Sequence, residues 1–203
     1  MNYSLKNIYQ VVIKNLVIIL AFAVICGGGM AIQAKMHRTT TYTAERSIYF
    51  ESDYSGNAAN EKLMADINLI KTYNQMIESD NVASVARKKL PKKLQHKYSV
   101  SDIAGMVSAS QVQMSLVSTI HVKADSAKDS TLIVNAVANA AKEELPQMAS
   151  SISEVRLFSA AKVSEATSKT TPSLKKRALL GVAIGLLIGM LVSFSITTWK
   201  KLI

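Results

Sequence analysis

The chain has few of the residues on which catalytic and metal sites depend. Among its 203 residues are one cysteine, Cys26, and three histidines, His37, His96 and His121. A single cysteine excludes an intramolecular disulfide. No H-x-x-x-H or C-x-x-C pair occurs, so the usual metal-binding patterns are missing. A catalytic triad needs a histidine as the base beside its nucleophile, and no sequence pattern typical of such a triad surrounds these three histidines.

The sequence also lacks the features of nucleotide hydrolases and of nucleic-acid-binding proteins. The sequence has no G-x-x-x-x-G-K-[ST] segment, so it lacks the phosphate-binding loop of nucleotide hydrolases. Aromatic residues make up only 6% of the chain, and no basic helix or stacking motif accompanies the net charge of +10. Nucleic acid is therefore the weakest explanation of that charge, after anionic lipid and an acidic polymer. We predict no active site, no metal and no cofactor.

Two long apolar runs dominate what is present. Residues 15–34 contain no side chain that is charged at neutral pH, and residues 178–199 contain no ionisable one. A helix of 22 residues spans about 33 Å, enough to cross a hydrocarbon core of roughly 30 Å. We predict membrane helices at 15–34 and 178–199, with tails at 1–14 and 200–203. A cleavable signal peptide is the alternative for the first run, but that run exceeds the core of about 7–15 residues typical of signals.

The intervening residues, 35–177, predict one small α+β domain. TYTAERSIYF at 41–50 alternates as a strand does, and apolar residues recur at helical spacing from Leu63 to Ile77. Ser79 is the predicted N-cap of a second helix, which Pro91 ends. The remaining predictions are a short helix capped at Ser101–Asp102, strands at 107–114 and 117–123, a longer helix opened by Asp125 and ended or kinked by Pro146, and a strand or helix at 155–163.

Small residues recur on one face of the second apolar run. Gly181, Gly185 and Gly189 are spaced by four residues, and Ser193 and Thr197 continue the series. This spacing lets helix backbones approach closely in lipid. We predict a packed helix interface here, with the glycines at 27–29 as one candidate partner. The simpler alternative is that glycine is common in membrane helices.

The segment KKLPKKLQHK, at 88–97, is the strongest local cluster of positive charge. Its lysines are candidates for contact with an anionic partner, either lipid headgroups or an acidic polysaccharide. A solvated loop with solubilising charge is the simpler alternative. The candidate residues are Lys88, Lys89, Lys92, Lys93 and Lys97.

Several segments follow one another in a characteristic order. The strand TYTAERSIYF, the helix DINLIKTYNQMIESDNV, the strand VSTIHVKADSAKDS and the helix IVNAVANAAKEEL are followed by a proline-bearing stretch and a glycine-patterned span. Taken in this order, the segments resemble those of the Wzz-type chain length determinants, also called polysaccharide co-polymerases. The chain is most similar to the small form that works with a separate tyrosine kinase in Gram-positive capsule and exopolysaccharide synthesis.

The resemblance implies a two-pass protein of the plasma membrane, with both termini cytoplasmic and the central domain outside. It implies a homo-oligomer that governs polymer length and export together with a polymerase and a flippase, and that modulates a cytoplasmic P-loop tyrosine kinase. Pro172 would be the hinge before the second span. The candidate kinase contact is Lys200, Lys201, Leu202 and Ile203, a shorter tail than the family usually has, so residues 1–14 are expected to contribute.

Charge alone leaves the orientation open, because basic residues flank both ends of each span. The leading hypothesis is a non-enzymatic regulator of surface polysaccharide synthesis. The alternative is a membrane-anchored sensor or adaptor whose outer domain binds a ligand or a protein. An enzyme acting at the membrane surface is disfavoured by the missing catalytic pattern.

Overall fold

The computed structural model describes residues 13–52 and 58–202, and of residues 199–202 it describes only the backbone. The chain forms two compact units. One comprises the two ends of the chain, up to Thr39 and from Thr170, and the other comprises Thr40–Lys169.

The unit formed by the chain ends consists of two helices packed along each other, α1 (Leu16–Met36) and α7 (Leu174–Leu202). Both are long and apolar enough to cross a membrane. Their large apolar side chains face outward: Val17 is 80% exposed and Leu179 is 73% exposed. Helices that are apolar on all sides are typical of membrane spans, because lipid supplies the apolar surroundings that a protein core would otherwise provide.

The central unit is α+β, as predicted. Seven elements agree in type with the sequence prediction, while a short helix and a final strand were not predicted. Its elements are β1 (Thr39–Glu51), α2 (Ala59–Ile77), α3 (Asp80–Lys89), α4 (Lys92–Lys97), α5 (Val100–Met106), β2 (Val107–Gln111), β3 (Val117–Ala124), α6 (Ala127–Met148), β4 (Glu154–Leu157), a 3₁₀ turn (Val163–Glu165) and β5 (Thr167–Thr171).

The sheet has five strands: four lie in the order β2-β3-β1-β4, and β5 also pairs with β1. The β1–β3 pair is antiparallel, with Glu45 opposite His121 and Ser47 opposite Thr119. Successive side chains of a strand point to opposite faces. The even-numbered residues of β3, together with Ala44, Ile48 and Phe50 of β1, are therefore buried in the core, while odd-numbered residues such as Glu45 and Thr119 lie on the outer face.

The core lies between the inner face of the sheet and the helices. Helix α6 packs against β3, β4 and α3, and its buried face combines small residues such as Ala140 and Ala141 with Ile133 and Leu145. The small side chains let the helix approach its neighbours closely. Burying a large apolar side chain contributes about 1.5–3 kcal/mol, so each of the large residues on this face adds substantially to the stability of the unit.

Two helix caps differ from the prediction. Ser99, not Ser101, caps α5, and it forms a capping box with Asp102, while Ser126, not Asp125, caps α6. In both cases the capping oxygen accepts from the backbone N–H three residues later, which sets the S-x-x-D spacing. Pro146 does not end α6, which continues to Met148.

The strand predicted at 107–114 ends at Gln111, because the following residues turn back and Met114 has a φ of 51°. The ambiguous segment at 155–163 divides into β4 and an irregular connection. The strand β5 was not predicted because TSKTT has no apolar alternation. The lysine-rich segment, expected as a loop, contains the helix α4.

Candidate functional site

The glycine face of α7 lies directly against α1 of the same chain. A methyl group placed at Gly185 would be 2.5 Å from the carbonyl oxygen of Phe22 and 2.7 Å from the Cα of Ala23. At Gly181 it would be 2.6 Å from the carbonyl oxygen of Cys26. The two backbones are therefore in contact where glycine leaves room, as the small-residue spacing of membrane helices permits.

The small-residue series of α7 continues through Gly189 to Ser193 and Thr197, and all three positions lie close to α1 or are buried. At Gly189 an added methyl group would lie 2.8 Å from the Cα of Ile19. Further along, Ser193 is 1% exposed. The amide of Asn15 donates a hydrogen bond of 3.1 Å to the hydroxyl of Thr197. A hydrogen bond between helices in a membrane contributes about 0.6 kcal/mol on average, so backbone packing contributes more to the pair than this bond does.

Only one of the three consecutive glycines of α1 faces α7. A methyl group at Gly27 would lie 2.7 Å from Cγ2 of Val182, whereas at Gly28 and Gly29 it would meet no atom within 4 Å. Successive helical residues are rotated by about 100° from one another, so three glycines in a row cannot share one face. Gly28 and Gly29 are therefore glycines of α1 that lie outside the contact with α7, and they can serve as control positions for substitutions within it.

The remaining residues predicted near the membrane lie at the start and end of α7. Pro172 precedes the helix, and the bond from Thr171 to Pro172 is cis. The backbone of Lys200, Lys201 and Leu202 belongs to the last turn of α7. The side chains of these three residues, and Ile203 as a whole, lie outside the described part of the structure. So do the tail residues 1–12.

The basic segment is split between two helices, and acidic residues partly neutralise it. On α3, the ammonium group of Lys89 lies 2.7 Å from the carboxylate of Glu143. At the end of α4, Lys97 lies 2.8 Å from Asp129 and 3.6 Å from Asp125. Lys89 thus connects α3 to α6, and Lys97 connects α4 to the N-terminal end of α6. Both lysines therefore have a structural role.

The other three lysines of the segment, Lys88, Lys92 and Lys93, are exposed. Within the described residues their ammonium groups form no ion pair. The surface available to an anionic partner is therefore smaller than the sequence predicted. It consists of three positive charges on either side of the Pro91 turn.

Asp129 is an acidic group with several partners among the described residues of the unit. Its Oδ2 accepts hydrogen bonds from Lys97 at 2.8 Å and from the hydroxyl of Tyr98 at 3.1 Å. Burial raises the pKa of Asp129, but the bonds from Lys97, Tyr98 and Ser126 outweigh burial and bring the pKa below its ordinary value. The hydrogen bond to Asp129 is the main cause of a raised pKa for Lys97.

The three histidines lie on separate elements. His37 follows α1, His96 is in α4, and His121 is on the outer face of β3. His121 is 3.1 Å from the carboxylate of Glu45 and 3.0 Å from the hydroxyl of Ser110. Across residues 13–52 and 58–198, no group of three His, Cys, Asp or Glu side chains is placed to hold a metal ion.

Sequence reasoning missed a polar cleft on the outer face of the sheet. It has a volume of about 430 Å³, and its lining includes Glu45, Ser47 and Thr119 on one side and the segment from Phe158 to Lys162 on the other. The alternation of β1 places Glu45 and Ser47 on the outer face, but nothing in the sequence indicates that the connection after β4 folds over them.

The chain was compared with known proteins. Residues 2–90 match the family model described as Wzz, chain length determinant protein. The match extends over α1, β1, α2 and α3, and it confirms the family resemblance predicted from the order of the segments. Members of this family regulate the chain length of polysaccharides. No curated protein sequence matches the chain significantly.

Proposed function

Given the match of residues 2–90 to the Wzz chain length determinant family, we propose that the protein regulates the chain length and export of a capsular or extracellular polysaccharide. It does so without catalysing a reaction itself. The family match is the observation on which the proposal rests. The matched region contains the first apolar helix and the first strand and helices of the central unit.

The architecture supports this role. A regulator of an exported polymer needs an anchor in the membrane and a domain on the side where the polymer grows. Here two apolar helices precede and follow one α+β unit in the sequence. We place that unit outside the plasma membrane and both termini in the cytoplasm, where the protein works as a homo-oligomer with a polymerase and a flippase.

The proposal also includes a partner: the protein modulates a cytoplasmic tyrosine kinase of the P-loop class. Its contact is assigned to the cytoplasmic ends of the chain, at Lys200, Lys201, Leu202 and Ile203 and at residues 1–14. On the outer side, Lys88, Lys92 and Lys93 are available to an acidic stretch of the polysaccharide.

Deletion of the gene tests the function. In a strain that makes the polymer, deletion should change the length or amount of surface polysaccharide and leave the composition of its repeat unit unchanged. An unchanged length and yield would exclude the regulator and favour a ligand-binding sensor or adaptor.

The kinase contact is tested with purified components. The protein alone should neither hydrolyse ATP nor transfer sugar, and adding it to the kinase in vesicles containing anionic lipid should increase kinase autophosphorylation. Removing residues 200–203 or residues 1–7 identifies the end that makes the contact. Because the candidate patch is basic, the stimulation should weaken at high salt. Stimulation that survives removal of both segments together would exclude residues 1–7 and 200–203 as the contact.

A further inference from the structure

The cleft on the outer face of the sheet has a rigid wall. The guanidinium of Arg46 donates two hydrogen bonds, of 3.2 and 3.1 Å, to the carbonyl of Phe158 and one of 3.3 Å to Asn135. The amide of Asn135 donates to the carbonyl of Ala161 and accepts from its N–H, both at 3.0 Å. The N–H of Phe158 donates to the carbonyl of Ser47 at 3.1 Å. The wall is thus ordered before any ligand arrives, which lowers the entropic cost of binding.

The floor of the cleft is equally well organised. The hydroxyls of Ser47 and Thr119 share a hydrogen bond of 3.0 Å across β1 and β3. Beside them, Glu45 lies 3.1 Å from Nδ1 of His121, and Nε2 of the same ring lies 3.0 Å from the hydroxyl of Ser110. The Glu45 side chain is still 55% exposed, so its carboxylate can accept further hydrogen bonds.

The charges around the cleft cancel. Two carboxylates, Glu45 and Glu165, are matched by two cations, Arg46 and Lys162. Lys162 and Glu165 also lie 3.6 Å apart. The guanidinium of Arg46 is already bonded to Phe158 and Asn135, and Lys162 lies near Glu165, so the lining offers no net charge to a charged ligand. An uncharged ligand that can both donate and accept hydrogen bonds therefore suits this lining best.

An exposed aromatic ring adds an apolar contact to this polar lining. Phe158 is 51% exposed and belongs to the lining of the cleft. Polar groups of both kinds beside an accessible ring match a ligand that has hydroxyl groups at its edges and C–H groups on its faces. The volume of about 430 Å³ falls within the range of about 300–1,000 Å³ found for small-molecule sites.

From these observations we infer that the cleft between Phe158–Glu165 and the outer face of β1 and β3 binds an uncharged segment of polysaccharide. The inference rests on the proposed function, since it takes the regulated polymer as the ligand. Glu45, Ser47 and Thr119 bind the sugar hydroxyls, and Phe158 packs against a sugar ring. This site differs from the exposed lysines at 88, 92 and 93, which suit acidic groups.

Binding by the full-length protein in detergent tests the site. The probes are oligosaccharides released by partial acid hydrolysis from the surface polysaccharide of the source strain and separated by charge, and saturation-transfer NMR measures their binding. The variants are Glu45→Gln and Phe158→Ala. Since Arg46 and Ser47 hold the backbone of residue 158, removing the ring leaves the wall in place. Glu61→Gln, on the exposed side of α2, is the matched control.

The uncharged fraction should bind the parent protein and the Glu61→Gln control equally. Its affinity for each cleft variant should fall about fivefold or more, as expected for the loss of a hydrogen bond to a charged group or of an aromatic contact. Equal binding by all four proteins, no binding of any fraction, or preference for the acidic fraction would overturn the proposed site.

The same variants separate this inference from the proposed function. If deletion of the gene changes polymer length but Phe158→Ala neither weakens fragment binding nor alters length, the cleft is excluded and the regulator remains. If deletion leaves polymer length unchanged, the proposed role in chain-length regulation is excluded. The binding measurement with oligosaccharides then shows by itself whether the cleft binds polysaccharide.

Discussion

Asp129 joins the end of α4 to the start of α6 through one carboxylate and one backbone amide. The carboxylate accepts hydrogen bonds from Lys97 and Tyr98 at the end of α4, and the backbone N–H donates to the hydroxyl of Ser126, the N-cap of α6. The side chain sits in the first turn of α6, where the helix dipole also favours a negative charge. Its lowered pKa is the electrostatic result of these contacts.

This lowered pKa predicts how the stability of the unit depends on pH. The stabilisation is fully present above the unfolded pKa of about 3.9 and is lost as the pH falls through the lower folded value. Asp129→Asn should therefore destabilise the protein at pH 7 by about 1 kcal/mol, and the difference from the parent should shrink below about pH 4. Thermal unfolding measured between pH 3 and pH 7 gives this comparison.

Asp125→Asn is the matched control for Asp129. Its side chain is 71% exposed and lies 3.6 Å from the same lysine, so its contribution should be close to zero at any pH. Equal effects of the two substitutions would show that the attraction to Lys97, rather than the full set of hydrogen bonds, stabilises Asp129.

At the scale of elements, the glycine face of α7 determines how closely the two apolar helices approach. Gly185→Ala should force the backbones apart, because the new methyl group would lie 2.5 Å from the Phe22 carbonyl oxygen. Overpacking of this kind costs about 1–3 kcal/mol. Loss of helix pairing is measured by denaturant-induced unfolding of the protein in mild detergent, followed by circular dichroism.

The control for this substitution is Gly29→Ala in α1. A methyl group there meets no atom within 4 Å, and alanine favours the helix over glycine, so stability should be unchanged or slightly higher. A loss of stability with Gly29→Ala equal to that with Gly185→Ala would contradict the packing described for the two helices.

The helix pair also shows what the sequence could and could not predict. The spacing of Gly181, Gly185 and Gly189 predicted a close-packed face, because a helix brings every fourth residue to nearly the same side. It could not decide whether the partner is the same chain or another copy, since both would need the same small residues. The structure places α1 of the same chain on this face.

In the central unit, strongly periodic segments were predictable and local polar contacts were not. The alternation of β1 and the apolar spacing of α2 predicted both elements because each buries a regular stripe of side chains. The strand β5 and the wall of the cleft depend instead on single contacts between distant segments, such as Asn135 with Ala161. The periodicity of the sequence cannot predict a contact of this kind, because it reports only which residues share one face of an element.

At the scale of the whole molecule, the proposed topology has a direct consequence. If both helices cross the membrane, residues between them lie on one side and both termini lie on the other. The single cysteine, Cys26, makes this measurable, since Cys26→Ala leaves a background with no thiol. In that background we predict that Lys93→Cys reacts with a membrane-impermeant maleimide on intact cells, while Lys200→Cys reacts only after permeabilisation.

Labelling of Lys200→Cys on intact cells, with Lys93→Cys protected, would reverse the orientation and place the central unit in the cytoplasm. That outcome would be incompatible with contact between the cleft and an exported polymer. Labelling of both positions on intact cells would mean that α7 does not cross the membrane.

Control of polymer length is the central claim, and graded expression of the protein in a deletion strain tests it most directly. The measurement is the size distribution of the surface polysaccharide, by size-exclusion chromatography with light scattering, at several measured amounts of the protein. The account predicts that the modal length shifts with the amount of protein while the composition of the repeat unit stays constant. A modal length that is the same at every amount, including zero, would contradict it.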